Sequence, residues 1–257
     1  MKQAFTQYVM VILLVVGAYF LGVYKTKTEF LEKGAGNTVA AVTQPGPQQA
    51  APTTVDLEKI KEKFDGKHIT FGDKNAKTLI TEVSDPSCPY CHIAGGLNIE
   101  LNSASPQFKL VKDGGTYVAP VPEIRKLIDD GKASFLWIYS NGHGSGEVAT
   151  QALYCAYEQD KFWEAHDILM SKKGYDLINE TVKNDLSKAN LLVASVSKVL
   201  NANKLQSCLD SKKYSGQSAE DMAWVQSLTG GAGTPTFFVN DKIVSGAQPW
   251  SAIEGLL

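Results

Sequence analysis

The chain has 257 residues, 44% hydrophobic and 20% charged, which is enough for one sizeable domain with appendages. The formal net charge is −2 and no basic cluster stands out, so the sequence gives no sign of nucleic-acid binding. Its four cysteines, Cys88, Cys91, Cys155 and Cys208, allow two disulfides, although the count alone does not settle the compartment.

Residues 9–23 are an apolar run, and with Ala4, Phe5, Tyr8 and Tyr24 they reach the length that spans a bilayer as a helix. Tyr8, Tyr19, Phe20 and Tyr24 lie near its ends, as interfacial aromatics do. A cleaved signal peptide is the rival reading, since Lys2 supplies a basic start. Tyr24-Lys25-Thr26-Lys27 offers no small-x-small cleavage site, which favours an uncleaved anchor over residues 1–25. Lys25, Lys27 and Lys33 follow the run and weaken the positive-inside signal for its orientation. Residues 26–54 carry Gly, Pro and Gln without apolar period and predict a flexible tether, stiffened locally by proline.

Residues 56–64 predict a short amphipathic helix with Leu57, Ile60 and Phe64 on one face. A turn at 72–75 leads into a buried strand at 78–83 and a helix from 90 to about 101, with Gly95 and Gly96 as helix-weakening residues inside it. Residues 108–112 and 117–119 flank Asp113-Gly114-Gly115-Thr116 and predict a small hairpin. A helix at 123–130 and a second buried strand at 133–139 follow, and the stretch 141–146, with three glycines, breaks the chain. From 147 to 228 the pattern is almost wholly helical, with segments at 147–170, 179–189, 191–200, 202–209 and 214–228. Strands at 236–239 and 242–245 turn through Asn240-Asp241, and Pro249 opens a last helix. Without the helical block the order is β-α-β-β-α.

The chemistry concentrates at Cys88-Pro89-Tyr90-Cys91, placed on the first turn of a helix that follows a strand. Unpaired N–H groups and the positive end of the helix dipole favour thiolate at the first cysteine. The second lies one turn on, within reach to close a disulfide, and Pro89 suits a helix start. Half of a zinc site is the alternative, but Cys155 and Cys208 are single and far apart, so no metal site is predicted.

These residues, together with Gly233-Thr234-Pro235-Thr236-Phe237-Phe238 far downstream and the segments 156–166 and 246–249, resemble the DsbA-like thiol-disulfide oxidoreductases of the thioredoxin superfamily, in their membrane-anchored bacterial form. The resemblance covers about residues 56–257 and implies an α/β thioredoxin fold with an all-helical domain inserted at about 146–230, preceded by one transmembrane helix. It implies that Pro235 is cis and faces the Cys88–Cys91 disulfide, leaving the backbone of Thr234 open to a substrate strand, with Gly233, Pro89 and Tyr90 also in contact with substrate. Glu82, six residues before Cys88, matches the buried acid that serves proton transfer in such proteins. Similar proteins carry a structural disulfide, which Cys155 and Cys208 could form, with two free buried thiols as the alternative.

The implied activity needs no cofactor. It oxidises cysteine pairs of reduced exported proteins outside the cytoplasm as a monomer, and a quinone-linked membrane partner of the DsbB or VKOR type reoxidises the enzyme. A disulfide isomerase or reductase is the alternative within the same chemistry, and a tethered chaperone or binding module is the alternative outside it. His92 is read either as a cation tuning the thiolate or as a surface residue, His166 as packing, His143 and His68 as loop residues, and Asp85 as a turn or capping residue.

Overall fold

The computed structural model describes residues 54–257. The anchor predicted at 1–25 and the tether predicted at 26–54, save Thr54, lie outside the described residues. Among the described residues no helix is long and apolar enough to cross a membrane.

Helix α1 (Leu57–Lys61) starts at Asp56, whose side chain accepts from the Glu58 N–H, and precedes strand β1 (Ile69–Phe71). Strand β2 (Leu79–Ser84) leads to helix α2 (Pro89–Gly95), then α3 (Ile99–Ser103) and α4 (Pro120–Asp129). Strand β3 (Ser134–Tyr139) is followed by α5 (Glu147–Tyr157), α6 (Phe162–Leu169) and α7 (Lys172–Asp176). Helices α8 (Ala189–Val196), α9 (Ala202–Asp210) and α10 (Gln217–Thr229) complete the helical stretch. Strands β4 (Thr236–Val239) and β5 (Lys242–Ser245) and helix α11 (Trp250–Glu254) close the chain.

The strands form one sheet in the order β1-β3-β2-β4-β5. β2 and β3 are parallel, and β1, β4 and β5 each run antiparallel to their neighbours. Every residue of β2, β3 and β4 is buried, as expected for central strands covered on both faces. Period-two alternation sorts their side chains. Ile80, Phe135, Trp137 and Phe237 face the main core with α2, α4, α5 and α6. Val83, Leu136, Ile138 and Phe238 face a smaller cluster with Val55, Ile60 and Val225.

Several local expectations are corrected. Strand β1 was absent from them, since three residues are too few to show an alternation. The helix expected to reach about 101 ends at Gly96, which takes φ 66°, a left-handed cap that glycine adopts without strain. A Cβ there would stand 2.7 Å from the Ala119 Cβ, and the chain restarts as α3 from an Asn98 cap. The hairpin expected around 113–116 is a pair of 3₁₀ turns, Pro106–Phe108 and Val111–Asp113, joined to Tyr117 by one parallel bridge from Leu110. Helix α4 begins at Pro120, earlier than expected, because proline is tolerated in a first helical turn. The segment 147–170 is two helices broken at Asp160, with φ 56°. Residues 179–189 are a π-helical stretch (Leu177–Val182) and a 3₁₀ turn (Leu186–Lys188), parted by Lys183 and Asn184 at φ 48° and 62°.

Candidate active site

Cys88 and Cys91 are free thiols at the start of α2, packed with Met170 from the end of α6. Cys88 is the N-cap, extended at φ −78° and ψ 124°, with Pro89 as the first helical residue. The two cysteines differ in environment. The Cys91 thiol, the Thr234 hydroxyl and the Cys91 and Tyr90 N–H groups all favour the Cys88 thiolate, and together they hold it down at about 6 against the opposing effect of burial. Burial pushes Cys91 well up, and the neighbouring Cys88 adds to the shift. The pair therefore holds one proton at neutral pH, on Cys91. The Asp85 N–H donates to Cys91 Sγ at 3.4 Å.

Thr234 lies across from Cys88, and its bond to Pro235 is cis. Cys88 Sγ lies 3.4 Å from the Thr234 carbonyl oxygen, to which the thiol donates when protonated. The Thr234 hydroxyl is buried without a hydrogen-bond partner, and its nearness helps to lower Cys88. Pro235 is buried, Gly233 is exposed, and Pro89 is half-buried. Tyr90 is 51% exposed and meets Phe108 edge-on at 6.0 Å. With Tyr117, Thr234, Ala247 and Gln248, these two rings line a groove of about 420 Å³ beside the thiols.

Glu82 is fully buried in β2, between Trp137 and Phe237 in register. Ser84, two residues on and so on the same face, lowers both Glu82 and Cys91, against the larger effect of burial on each. Burial raises Glu82 above the ordinary carboxylate range, and His166 and Ser84 oppose the rise.

Three features escaped the sequence reading. Asp85 does cap the turn before Cys88, as read, but it is wholly buried and its reach extends beyond that turn. Its Oδ1 accepts from the Ser87 N–H and hydroxyl, both at 2.7 Å, and its Oδ2 from the Gly142 and His143 N–H groups at 2.8 and 2.9 Å. It thus ties the loop after β3 to the turn before Cys88. Gly142 shows why that loop is glycine-rich: a Cβ there would overlap Thr234 Oγ1 and stand 3.2 Å from the Cys88 Cβ. His92, for which a surface position was one reading, is completely buried. Its Nδ1 lies 2.8 Å from the Met170 carbonyl oxygen and its Nε2 lies 2.9 Å from that of Pro86. Burial pushes its pKa down to about 4, with the two carbonyls opposing, so the ring is neutral at pH 7 and donates to one of them. Lastly, Asn179 in the π-helical stretch donates to the Ser87 carbonyl at 3.2 Å. Such stretches often mark functional positions, but nothing in a single sequence distinguishes one from an ordinary helix.

Away from this site, Cys155 and Cys208 are bridged, with Cα atoms 6.0 Å apart, and join α5 to α9. His68 stands in the loop before β1, as read, but is buried there and held by Asp65 at 3.0 Å. Among the described residues no cluster of His, Cys, Asp and Glu could hold a metal ion.

Comparison with known proteins places this architecture. The sodium/proton antiporter NhaA 3 of Salinispora tropica is 25% identical over 175 residues, 66% of this chain and 21% of that protein. The chain thus spans about a fifth of the length of the antiporters it matches. Disulfide bond formation protein D of Bacillus subtilis is 24% identical over 192 residues, 72% of each chain. Among solved structures, oxidised BdbD from Bacillus subtilis has a TM-score of 0.52 at 20% identity, covering 79% of this chain and 92% of its own. Chlamydia trachomatis DsbA has a TM-score of 0.51 at 22% identity, covering 75% and 89%. Both likenesses show a shared fold. A family model described as Thioredoxin matches residues 121–257, more than half of the chain, taking in β3, the cis Pro235 and the final β-β-α unit but starting beyond the dithiol. On that match and that fold, the chain belongs to the thioredoxin family.

Proposed function

We propose that this protein is a thiol-disulfide oxidoreductase that oxidises cysteine pairs of reduced exported proteins through Cys88 and Cys91. One observation carries the reading: the two sulfurs are held unequally, Cys88 down at about 6 beside Thr234 and Cys91 buried and pushed up. A stabilised Cys88 thiolate is a good leaving group, which makes the disulfide oxidising.

In the forward reaction a substrate thiolate attacks Cys88 Sγ. A mixed disulfide forms, the Cys88–Cys91 bond breaks, and Cys91 leaves as a thiolate and takes a proton by way of Glu82. A second substrate thiolate then attacks the substrate sulfur of the mixed disulfide. The substrate disulfide forms and Cys88 departs as thiolate. Tyr90 and Thr234 line the groove in which the substrate strand would lie, and Pro89, Gly233 and Pro235, their neighbours in the chain, are proposed to meet the substrate with them. Cys155–Cys208 serves stability, not exchange.

The remaining parts of the reading rest on sequence. An anchor over 1–25 and a tether over 26–54 would hold the catalytic domain of residues 55–257, with its helical insertion at about 146–230, outside the cytoplasm and near a quinone-linked reoxidant, raising their effective concentration. The name of the Bacillus subtilis disulfide bond formation protein D supports the direction of the chemistry.

The test is the equilibrium of the Cys88–Cys91 pair with reduced and oxidised glutathione, alongside oxidation of a reduced, unfolded test protein. We expect a strongly oxidising pair and complete loss of oxidation in Cys88→Ser. A pair as reducing as thioredoxin would turn the reading to reductase, and full activity in Cys88→Ser would sink it.

A further inference from the structure

Glu82 lies at the bottom of the site with no evident route to water. It is completely buried, and neither carboxylate oxygen has a protein hydrogen-bond partner within bonding distance. A buried acid that exchanges a proton with Cys91 stays in step with the pH of the medium only if a neighbouring group connects it to solvent. Strand β3 offers no help, because the residue paired with Glu82 is Trp137.

His166 supplies what β3 lacks. It stands on α6, the helix that covers this face of the sheet: Phe162 packs 6.0 Å from the Trp137 ring and 5.5 Å from the His166 ring. His166 is 1% exposed, and its Nε2, like the Glu82 oxygens, has no protein partner. After burial, His166 is the largest influence on Glu82. On its other side, Nδ1 lies 3.4 Å from Asp167 Oδ1. The Asp167 side chain is 42% exposed, and its Oδ2 accepts from Arg125 Nη1 at 2.9 Å. Packing against Phe162 and edge-on against Trp163 accounts for the ring's position but not for an unpaired nitrogen in the core.

We propose that His166 relays the Cys91 proton between Glu82 and solvent, with Asp167 at the outer end. The inference rests on the oxidoreductase reading and deepens it.

When Cys88, joined to an oxidant's sulfur, is attacked by Cys91, the Cys91 S–H bond breaks and the Cys88–Cys91 bond forms. The oxidant's sulfur leaves as thiolate with the electron pair, and the proton goes to Glu82. Glu82 passes it to His166 Nε2, directly or across one water, and Nδ1 yields its own proton toward Asp167. The reverse sequence protonates Cys91 when a substrate opens the disulfide. The other groups that bear on the path are Cys88 and His92 on α2, Asp85 at the end of β2, and Arg125 on α4. His166 acts through Glu82 and does not touch sulfur.

The test uses the full chain with Glu82→Gln, His166→Gln, the double variant and Asp167→Asn. The rate of oxidation of the reduced protein by oxidised glutathione is followed from pH 5 to 9, with Cys88 alkylation as a separate readout. Each single variant at 82 or 166 is expected to slow the Cys91 step by about tenfold or more, as loss of a general base does, with Cys88 alkylation unchanged. The double variant is expected to be no slower than the slower single one, because the two residues act in series. Asp167→Asn, at an exposed position, is expected to move the pH profile and keeps the test open should His166→Gln not fold. Multiplying effects at 82 and 166, or a native pH profile in either His166→Gln or Asp167→Asn, overturns the relay. If the native protein exchanges with glutathione at no ratio, the oxidoreductase reading falls instead.

Discussion

At the scale of single residues, the site separates groups by how burial treats their charge. Donors around Cys88 outweigh its burial and favour the thiolate, whereas at Cys91 and Glu82 burial outweighs the groups that oppose it and favours the protonated form. Iodoacetamide should therefore label Cys88 with a midpoint near pH 6, well below the roughly 8.5 of a free thiol, and a midpoint in the free-thiol range would contradict the arrangement. Glu82 makes a prediction of opposite sign. Its folded pKa is raised, so above the unfolded value of 4.5 the unfolded chain gives up the proton first and stability falls as pH rises. Glu82→Gln should accordingly resist urea better than the native protein at pH 7, with the difference shrinking toward zero as pH falls to about 4. A difference that grows on acidification would mean that Glu82 is ionised in the fold.

At the scale of elements, the loop between β3 and α5 is the least expected part of the site. Asp85 fixes it, and Gly142 lets it lie close against Cys88 and Thr234. Gly142→Ala must move one of these apart. Overpacking of this kind costs about 1–3 kcal/mol, and protein oxidation should fall by more than the stability loss explains. An activity equal to that of the native protein would show that the loop yields freely. The sequence made the strands legible, because β2, β3 and β4 are β-branched or aromatic runs bounded by turns, and it made the dithiol legible through spacing alone. It could not reveal Asp85 or His92. Their roles depend on backbone groups brought from residues 142–143 and 170, and no local pattern records which N–H or carbonyl will arrive. The π-helical stretch and the 3₁₀ turns at 106–113 failed for a related reason. They are set by left-handed residues such as Lys183 and Gly114 and by packing, which a 3.6-residue period does not carry.

At the scale of the whole molecule, the helices between β3 and β4 are closed by the Cys155–Cys208 bridge, 53 residues apart in sequence. Cross-linking a loop of that length removes about 4 kcal/mol of chain entropy from the unfolded state. Cys155→Ala with Cys208→Ala should lower the denaturation midpoint accordingly while the glutathione equilibrium of Cys88–Cys91 stays as it was. A shift in that equilibrium would make the second pair part of the redox chemistry.

The seat of Cys91 carries a further consequence. The thiol is completely buried, with Met170 against it, and His92 links the Met170 carbonyl to that of Pro86. A reagent reaches Cys91 only when α6 lifts from α2, so in Cys88→Ser the rate of Cys91 labelling is a clock for that opening. Backbone amides of α6 should exchange with deuterium at matching rates. Removing the Cys155–Cys208 bridge should quicken both together, because the same cross-link restrains the layer that shields the second sulfur.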